Sequence, residues 1–297
     1  MFIADAHCDT ISRILDTNEG LFQNSGHLDI MRMRKSGVMM QLFAVWTDPK
    51  TVNPFARATA VIDKFNKECG INAQYVSVNG VEEGKISAVL TIEGGCVLEG
   101  EIANLHKFWD MGVRLMTLTW NGRNALASGV LQDGEVDGGL SGFGREVVRE
   151  MVKLGMFIDV SHIAERGFWD VIEQTGGAVP IFATHSNARS ITNHPRNLTD
   201  EQIKAIISTG GFIGLNLFPD FLGGCNVSNI ARHAEHIMNL GGVETLGLGA
   251  DFDGVDVLPD GIHGVEDMGC INEVILGEFG EETARKILFD NLFKRFF

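Results

Sequence analysis

The sequence predicts a (β/α)8 barrel, an α/β fold, and two patterns carry that expectation. Eight apolar runs of strand length recur along 297 residues, and segments with helical spacing separate most of them. The runs are hydrophobic throughout rather than in alternation, which suits strands covered on both faces of a parallel sheet. A third observation concerns polarity. His and carboxylate side chains stand at the C-terminal ends of several runs, which is where barrels of this kind build their sites.

Taken in order, strands are expected at residues 2–6, 38–46, 87–92, 114–120, 156–160, 179–184, 212–217 and 245–249. Helices are expected at 55–69, 101–111, 144–154, 165–175, 200–208 and 230–240, with a last one over 281–296. The link between the first two strands is the least distinct and offers only a short helix near 27–35. TDEQ at 199–202 reads as a capping box opening a helix, and KLGM, STGG and NLGG place glycine at helix exits. No change of composition divides the chain, so one catalytic barrel is expected over residues 1–297. The competing architecture, a doubly wound open sheet, wants a glycine-rich dinucleotide turn after an early strand. GxGxxG is missing there.

Composition narrows the function classes. The longest apolar runs, at 38–46 and 212–218, fall short of the ~20 residues a membrane helix needs, so no membrane span is expected. The first residues lack the basic and apolar regions of a secretory signal. Five cysteines, an odd number, are scattered with no Cys-x-x-Cys pair, which points to a reducing, cytoplasmic setting. A net charge of -15, from 39 acidic and 24 basic residues, repels phosphate backbones and argues against nucleic acid as a partner.

The chemistry begins in IADAHCDT, residues 3–10. Alternate residues of a strand point the same way, so His7 and Asp9 share a face and Cys8, between them, turns to the core. Other strand ends add Glu93 in TIEGG, His162 in DVSH, His185 in ATHS and Asp251 in GADFDG. Singly, each has an ordinary structural role: His162 as a hydrogen-bonded core residue, Glu93 as a helix cap, Asp251 or Asp253 as a turn residue. Together they would converge on one rim. Imidazole and carboxylate ligands suit zinc and similar divalent ions. Glu93 can bridge two ions, with His162 and His185 at the second, and such a pair activates water near neutral pH and polarises a carbonyl.

The segments DAHCDT, TIEGG, LTWNGRN, GLSGFGREVVREMVKLGMFIDVSH, THSNARSITNHPRNLTDEQI, GFIGLNLFP and GADFDGV occur in this order. Through them the chain resembles, over nearly its whole length, the membrane dipeptidase (renal dipeptidase, peptidase M19) family, in its soluble bacterial type. The resemblance implies a binuclear zinc hydrolase on a (β/α)8 barrel that cleaves dipeptides, including those with a D-residue at the C-terminal side. It implies two zinc ions per chain, one on His7 and Asp9, the other on His162 and His185, with Glu93 between them. Asp251 is then expected near the bridging water and the substrate amino group, making it and Glu93 the catalytic carboxylates. Arg196 of HPRN is expected to clamp the substrate carboxylate, a task that suits a guanidinium fork. A homodimer is also implied.

One departure matters. Mammalian members carry a His in the strand-4 motif, where this chain has Trp120. An indole donates an N–H but carries no proton at neutral pH. Trp120 is therefore expected as a pocket wall, with Asn121, Arg123 or Asn124 reaching the substrate. The secretion signal and lipid-anchor tail of mammalian members are missing from the sequence, in keeping with a cytoplasmic enzyme. Two other readings share these residues: a binuclear amidohydrolase acting on another small amide, lactone or acylated amino acid, and a metal-binding scaffold without turnover. Fold and ions do not choose between substrates, whereas a requirement for a free amino group would.

Overall fold

Among the described residues eight parallel strands close on themselves: β1 (Ile3–Cys8), β2 (Val38–Trp46), β3 (Ile86–Glu93), β4 (Val113–Thr117), β5 (Phe157–Asp159), β6 (Ile181–Ala183), β7 (Phe212–Leu215) and β8 (Leu246–Leu248); the two-residue strand Val76–Ser77 pairs with the start of β3 beside this ring. Each of the eight pairs with its successor, and Asp5 of β1 against Leu248 of β8 closes the ring. This is a (β/α)8 barrel. The computed structural model describes residues 1–78, 80–131 and 136–297. Between β2 and β3 the register sets Met40 against Ser87 and Trp46 against Glu93, so the last two stand side by side at the C-terminal rim.

Local signals place the helices as expected. Thr199 and Gln202 make both bonds of the capping box at the start of Asp200–Ser208. Gly155 ends Gly142–Leu154 in a left-handed conformation, φ 74°, where a Cβ would be strained.

Apolar side chains form two separate groups. The larger lies between strands and helices and includes Phe65, Phe108, Phe168, Ile203 and Ile237. The smaller joins Ala4, Ala6, Met40, Leu42, Val89, Leu115, Phe182 and Phe212, contributed by six of the strands, and so fills the barrel interior. Phe182 stacks at 5.7 Å from Phe212, and Phe296 of the last helix packs 5.9 Å from Phe182. Burying each such ring contributes roughly 1.5–3 kcal/mol. With that part of the interior filled by rings and methyls, the polar residues of the strands are left to the opposite, C-terminal mouth.

The structure also corrects the expected boundaries. β1 runs on to Cys8 rather than ending at 6, whereas β4 stops at Thr117 rather than 120, β7 at Leu215 rather than 217, and β5, β6 and β8 are shorter at their ends, because buried apolar sequence continues past the regular ladder. A helix at Thr10–Asp16 was not foreseen: Asp9 occupies the cap position without making a side-chain cap bond. The second helix of that link, Ile30–Ser36, starts later than 27. The final helix is not one unit over 281–296. Met268–Arg285 is interrupted at Gly280, φ 74°, and a π-turn over Lys286–Asp290 leads into Asn291–Phe296. No helix among the described residues is long and apolar enough to cross a membrane.

Candidate metal centre

His7, Asp9, Glu93, His162, His185 and Asp251 meet at the C-terminal mouth, all of them buried. His7 comes from β1, and Asp9 follows where the chain turns into Thr10–Asp16. Its carboxylate leaves the helix cap and turns to His7, with Oδ2 at 3.4 Å from Nε2. Glu93 is the last residue of β3, and its two oxygens face different neighbours. Oε2 lies 3.6 Å from His7 Nε2, whereas Oε1 lies 2.9 Å from His162 Nε2 and 3.5 Å from His185 Nε2. The two latter imidazoles approach to 2.7 Å between their Nε2 atoms. Asp251 Oδ1 stands 3.7 Å from His7 Nε2, and its Oδ2 accepts from Asn216 Nδ2 at 2.8 Å. Cys8 points away into the apolar core, as its place between His7 and Asp9 requires.

Backbone strain accompanies this convergence. His162 and Asp251 hold φ values of 65° and 66°, a left-handed region that non-glycine residues rarely occupy and that the surrounding packing must enforce. Gly254 fits tightly against the cluster. A Cβ there would fall 2.3 Å from both Asp251 Oδ1 and Asp9 Oδ2, so only a hydrogen leaves the two carboxylates in place.

The electrostatics fit a cation. Burial, together with the Glu93 and Asp251 carboxylates and against the opposing pull of His7, raises the Asp9 carboxyl to about 7. Burial opposes charge on His7, but the Glu93 and Asp9 carboxylates outweigh it and hold the imidazole well above its ordinary value. Burial and the neighbouring cationic groups push His185 well down, toward the neutral form that ligates metals. Within the cluster, two buried atoms, His7 Nε2 and Asp9 Oδ1, find no hydrogen-bond partner among the described residues. Two groups of ligand atoms lie within 4.8 Å of one another: His7, Glu93 and His185, and His7, Asp9 and Asp251. Imidazole nitrogens and carboxylate oxygens in this density match the donor set of zinc and related divalent ions.

Above the cluster opens a cleft of about 570 Å³ floored by Asp9, Glu93, His162 and Asp251 and walled by Trp46, Trp120, Phe218 and Phe221. The Trp120 ring meets Trp46 edge-on at 5.4 Å, and Asn121 lines the same wall. The Asn121 side-chain Oδ1 lies 2.8 Å from His162 Nδ1. Asn124 belongs to the loop instead: its amide donates to Leu118 O, and its carbonyl accepts from Leu126 N and Ala127 N. Arg196 is buried beside His185, donating from Nη2 to the His185 carbonyl at 3.3 Å, with its guanidinium 5.3 Å over the Phe221 ring. Burial lowers it to about 10, and its Nε finds no partner among the described residues. It lines a smaller adjoining cavity shared with His162.

Sequence reasoning did not single out Trp46, whose place opposite Trp120 depends on strand register, nor Asn216, Gly254, Thr184 and Asp159. Only Asp159 carried a signal, a carboxylate inside the apolar run FIDV.

The chain matches the family model "Membrane dipeptidase (Peptidase family M19)" over residues 1–296. It is 30% identical over 283 residues to an uncharacterized dipeptidase of Schizosaccharomyces pombe, a match covering 86% of this chain and 67% of that relative. Among solved structures, it is similar to a metallo peptidase from Rhodobacter sphaeroides liganded with a phosphinate mimic of the dipeptide L-Ala-D-Ala. That likeness has a TM-score of 0.89 and 25% identity, covering 99% of this chain and 98% of the other. The dipeptidase AC, a metallo peptidase of family M19, is similar at a TM-score of 0.89 and 26% identity, covering 99% and 97% of the two chains. A closed barrel with His and carboxylate side chains gathered at its mouth, and a family match along the chain, agree: the protein belongs to the membrane dipeptidase family, peptidase family M19, whose members are metal-dependent hydrolases.

Proposed function

We propose that residues 1–297 act as one catalytic unit, a binuclear zinc dipeptidase whose substrates include dipeptides with a D-residue at the C-terminal side. One observation carries the binuclear reading: Glu93 turns Oε2 to His7 and Oε1 to His162 and His185, as a carboxylate shared between two sites must. His7 and Asp9 would hold one ion and His162 and His185 the other, with Glu93 common to both. Two zinc ions in such a centre supply Lewis acidity toward a peptide carbonyl and bring the pKa of water near neutrality.

The chain's own groups do the rest. Asp251, steadied by Asn216, stands at the edge of the cluster where it can receive a proton and return it to the leaving amine, and where it attracts the substrate ammonium group. Arg196 provides a buried cation for the substrate carboxylate, its Nε lacking any other partner among the described residues. Trp46 and Trp120 wall the cleft, with Asn121 in the same wall. The L-Ala-D-Ala mimic bound by the R. sphaeroides protein supports the expectation about D-residues. All five cysteines are free thiols, which suits a reducing cytoplasm.

A dipeptide library spanning L-L, L-D and D-D pairs, assayed after zinc reconstitution, tests this reading. Hydrolysis of free dipeptides, with L-D pairs among the good substrates, is expected. Equal turnover of N-acetylated dipeptides would move the assignment to the broader amidohydrolase class.

A further inference from the structure

Beneath the metal centre lies a fully buried carboxylate, Asp159 at the end of β5, with a role still to be accounted for. Its Oδ1 accepts two backbone N–H groups, from Ser161 and Thr184, each at 3.0 Å. Its Oδ2 accepts two hydroxyls, Thr117 Oγ1 at 2.6 Å and Thr184 Oγ1 at 2.7 Å. Thr184 Oγ1 also lies 2.9 Å from His185 Nδ1.

A hydroxyl has one proton, and Thr184 gives it to Asp159. Thr184 Oγ1 can therefore only accept from His185, so the imidazole carries its proton on Nδ1. His185 Nε2 is left with a free lone pair, pointing at His162 Nε2 and Glu93 Oε1. We infer that Asp159, acting through Thr184, is a positioning residue that sets the tautomer of His185 and so keeps Nε2 available to a metal ion. This rests on the metal-binding reading above, but the proton order itself follows from the hydrogen bonds alone. Carboxylates in contact with a ligating imidazole serve this purpose in metal sites generally, and losing such a partner typically costs 10–100-fold in metal affinity. Here a hydroxyl is interposed.

The geometry makes Asp159→Asn a directional test. The amide oxygen must stay where two backbone N–H groups point, at the Oδ1 position. The amide nitrogen then takes the Oδ2 position and donates toward Thr117 and Thr184. Thr184 is left to donate its own proton to His185 Nδ1, which moves the imidazole proton to Nε2 and blocks the lone pair.

Two readouts on the full chain test the inference. Zinc retention against a competing chelator is expected to weaken roughly 10–100-fold in Asp159→Asn and in Thr184→Val, and to stay within a few-fold of the parent in Thr184→Ser. Long-range ¹H–¹⁵N correlation of the ¹⁵N-histidine-labelled, metal-depleted chain, with His185 identified by its loss in His185→Gln, is expected to show the Nδ1–H form in the parent and the Nε2–H form in Asp159→Asn. Parent-like zinc retention in Asp159→Asn, or an unchanged His185 tautomer, would overturn it. A parent that takes up no zinc would instead defeat the metal-binding reading, and the tautomer comparison would still decide the proton order.

Discussion

The Nε2 atoms of His162 and His185 lie 2.7 Å apart, each imidazole delivered by a different strand end. Glu93 Oε1 stands 2.9 Å from the first of them. The two nitrogens are close enough to share a proton, and with the carboxylate oxygen beside them they offer a divalent cation several donors within one buried site. Zinc-reconstituted protein is accordingly expected to contain two ions per chain by elemental analysis, and Glu93→Gln fewer, with an unchanged circular dichroism spectrum. The amide keeps the shape of the side chain but is a poor ligand between two cations. Activity should fall by more than the roughly 10–100-fold typical of losing an outer-shell partner. A stoichiometry saturating at one in the parent would remove the binuclear centre.

Arg196 sits beside His185 with its Nε unpartnered among the described residues and its guanidinium over the Phe221 ring. Lysine would keep the charge and lose the fork, so Arg196→Lys is expected to reduce kcat/KM for dipeptides by about 10–100-fold, as loss of a charged hydrogen bond does. The loss should appear mainly as a raised KM if ground and transition states are held alike. C-terminally amidated dipeptides should be poor substrates of the parent. Equal efficiency on amidated and free-acid substrates would take Arg196 out of that role.

How much of this was visible in the sequence follows from which interactions are local. Strand cores were legible because barrel strands are buried on both faces, so Val38–Trp46 reads as an unbroken apolar run and forms as one strand. The six polar residues at strand ends were legible for the same reason, since each interrupts or terminates such a run. Trp46 gave no sign of its position beside Glu93, because facing depends on the β2–β3 register. Helix Thr10–Asp16 is preceded by Asp9, a residue type that favours caps, but the same residue also reads as a metal ligand, and in the structure its carboxylate turns to His7 rather than capping the helix. Asp159 was visible as an oddity in an apolar run, but its partners Thr117 and Thr184 come from neighbouring strands that only the closed barrel brings together.

Gly254 tests how tightly the carboxylates are held. A methyl at this position would fall 2.3 Å from Asp9 Oδ2 and from Asp251 Oδ1, and both side chains are already committed, one to His7 and the other to Asn216. Gly254→Ala is therefore expected to displace them by the better part of an ångström and to lower kcat by about 100-fold, the scale of loss such misplacement causes. Thermal stability should change far less than activity, because the collision is confined to the mouth of the barrel. An Ala variant with parental turnover would show that the two carboxylates move freely.

His233 connects stability to pH at a distance from the metal centre. It lies on the helix Asn229–Asn239 and is completely buried. Its Nδ1 accepts the Ala188 N–H at 3.1 Å, and its Nε2 lies 3.2 Å from the Leu222 carbonyl, to which it donates. A second proton would have to sit on Nδ1, facing the Ala188 N–H, so the site suits only the neutral ring. Burial lowers its pKa from 6.5 to about 4. A depressed folded value means that the stabilisation is complete above the unfolded pKa of 6.5 and drains away as pH falls toward 4. Across that window the difference is worth ~3 kcal/mol. In His233→Gln the amide oxygen can take over the acceptor role and its N–H₂ the donor role, without a group that titrates. The parent should therefore lose melting temperature faster than His233→Gln between pH 7 and pH 4.5, by roughly 2–4 °C for each kcal/mol. Parallel melting curves for the two proteins over that range would show that His233 does not titrate in the folded state as its burial demands.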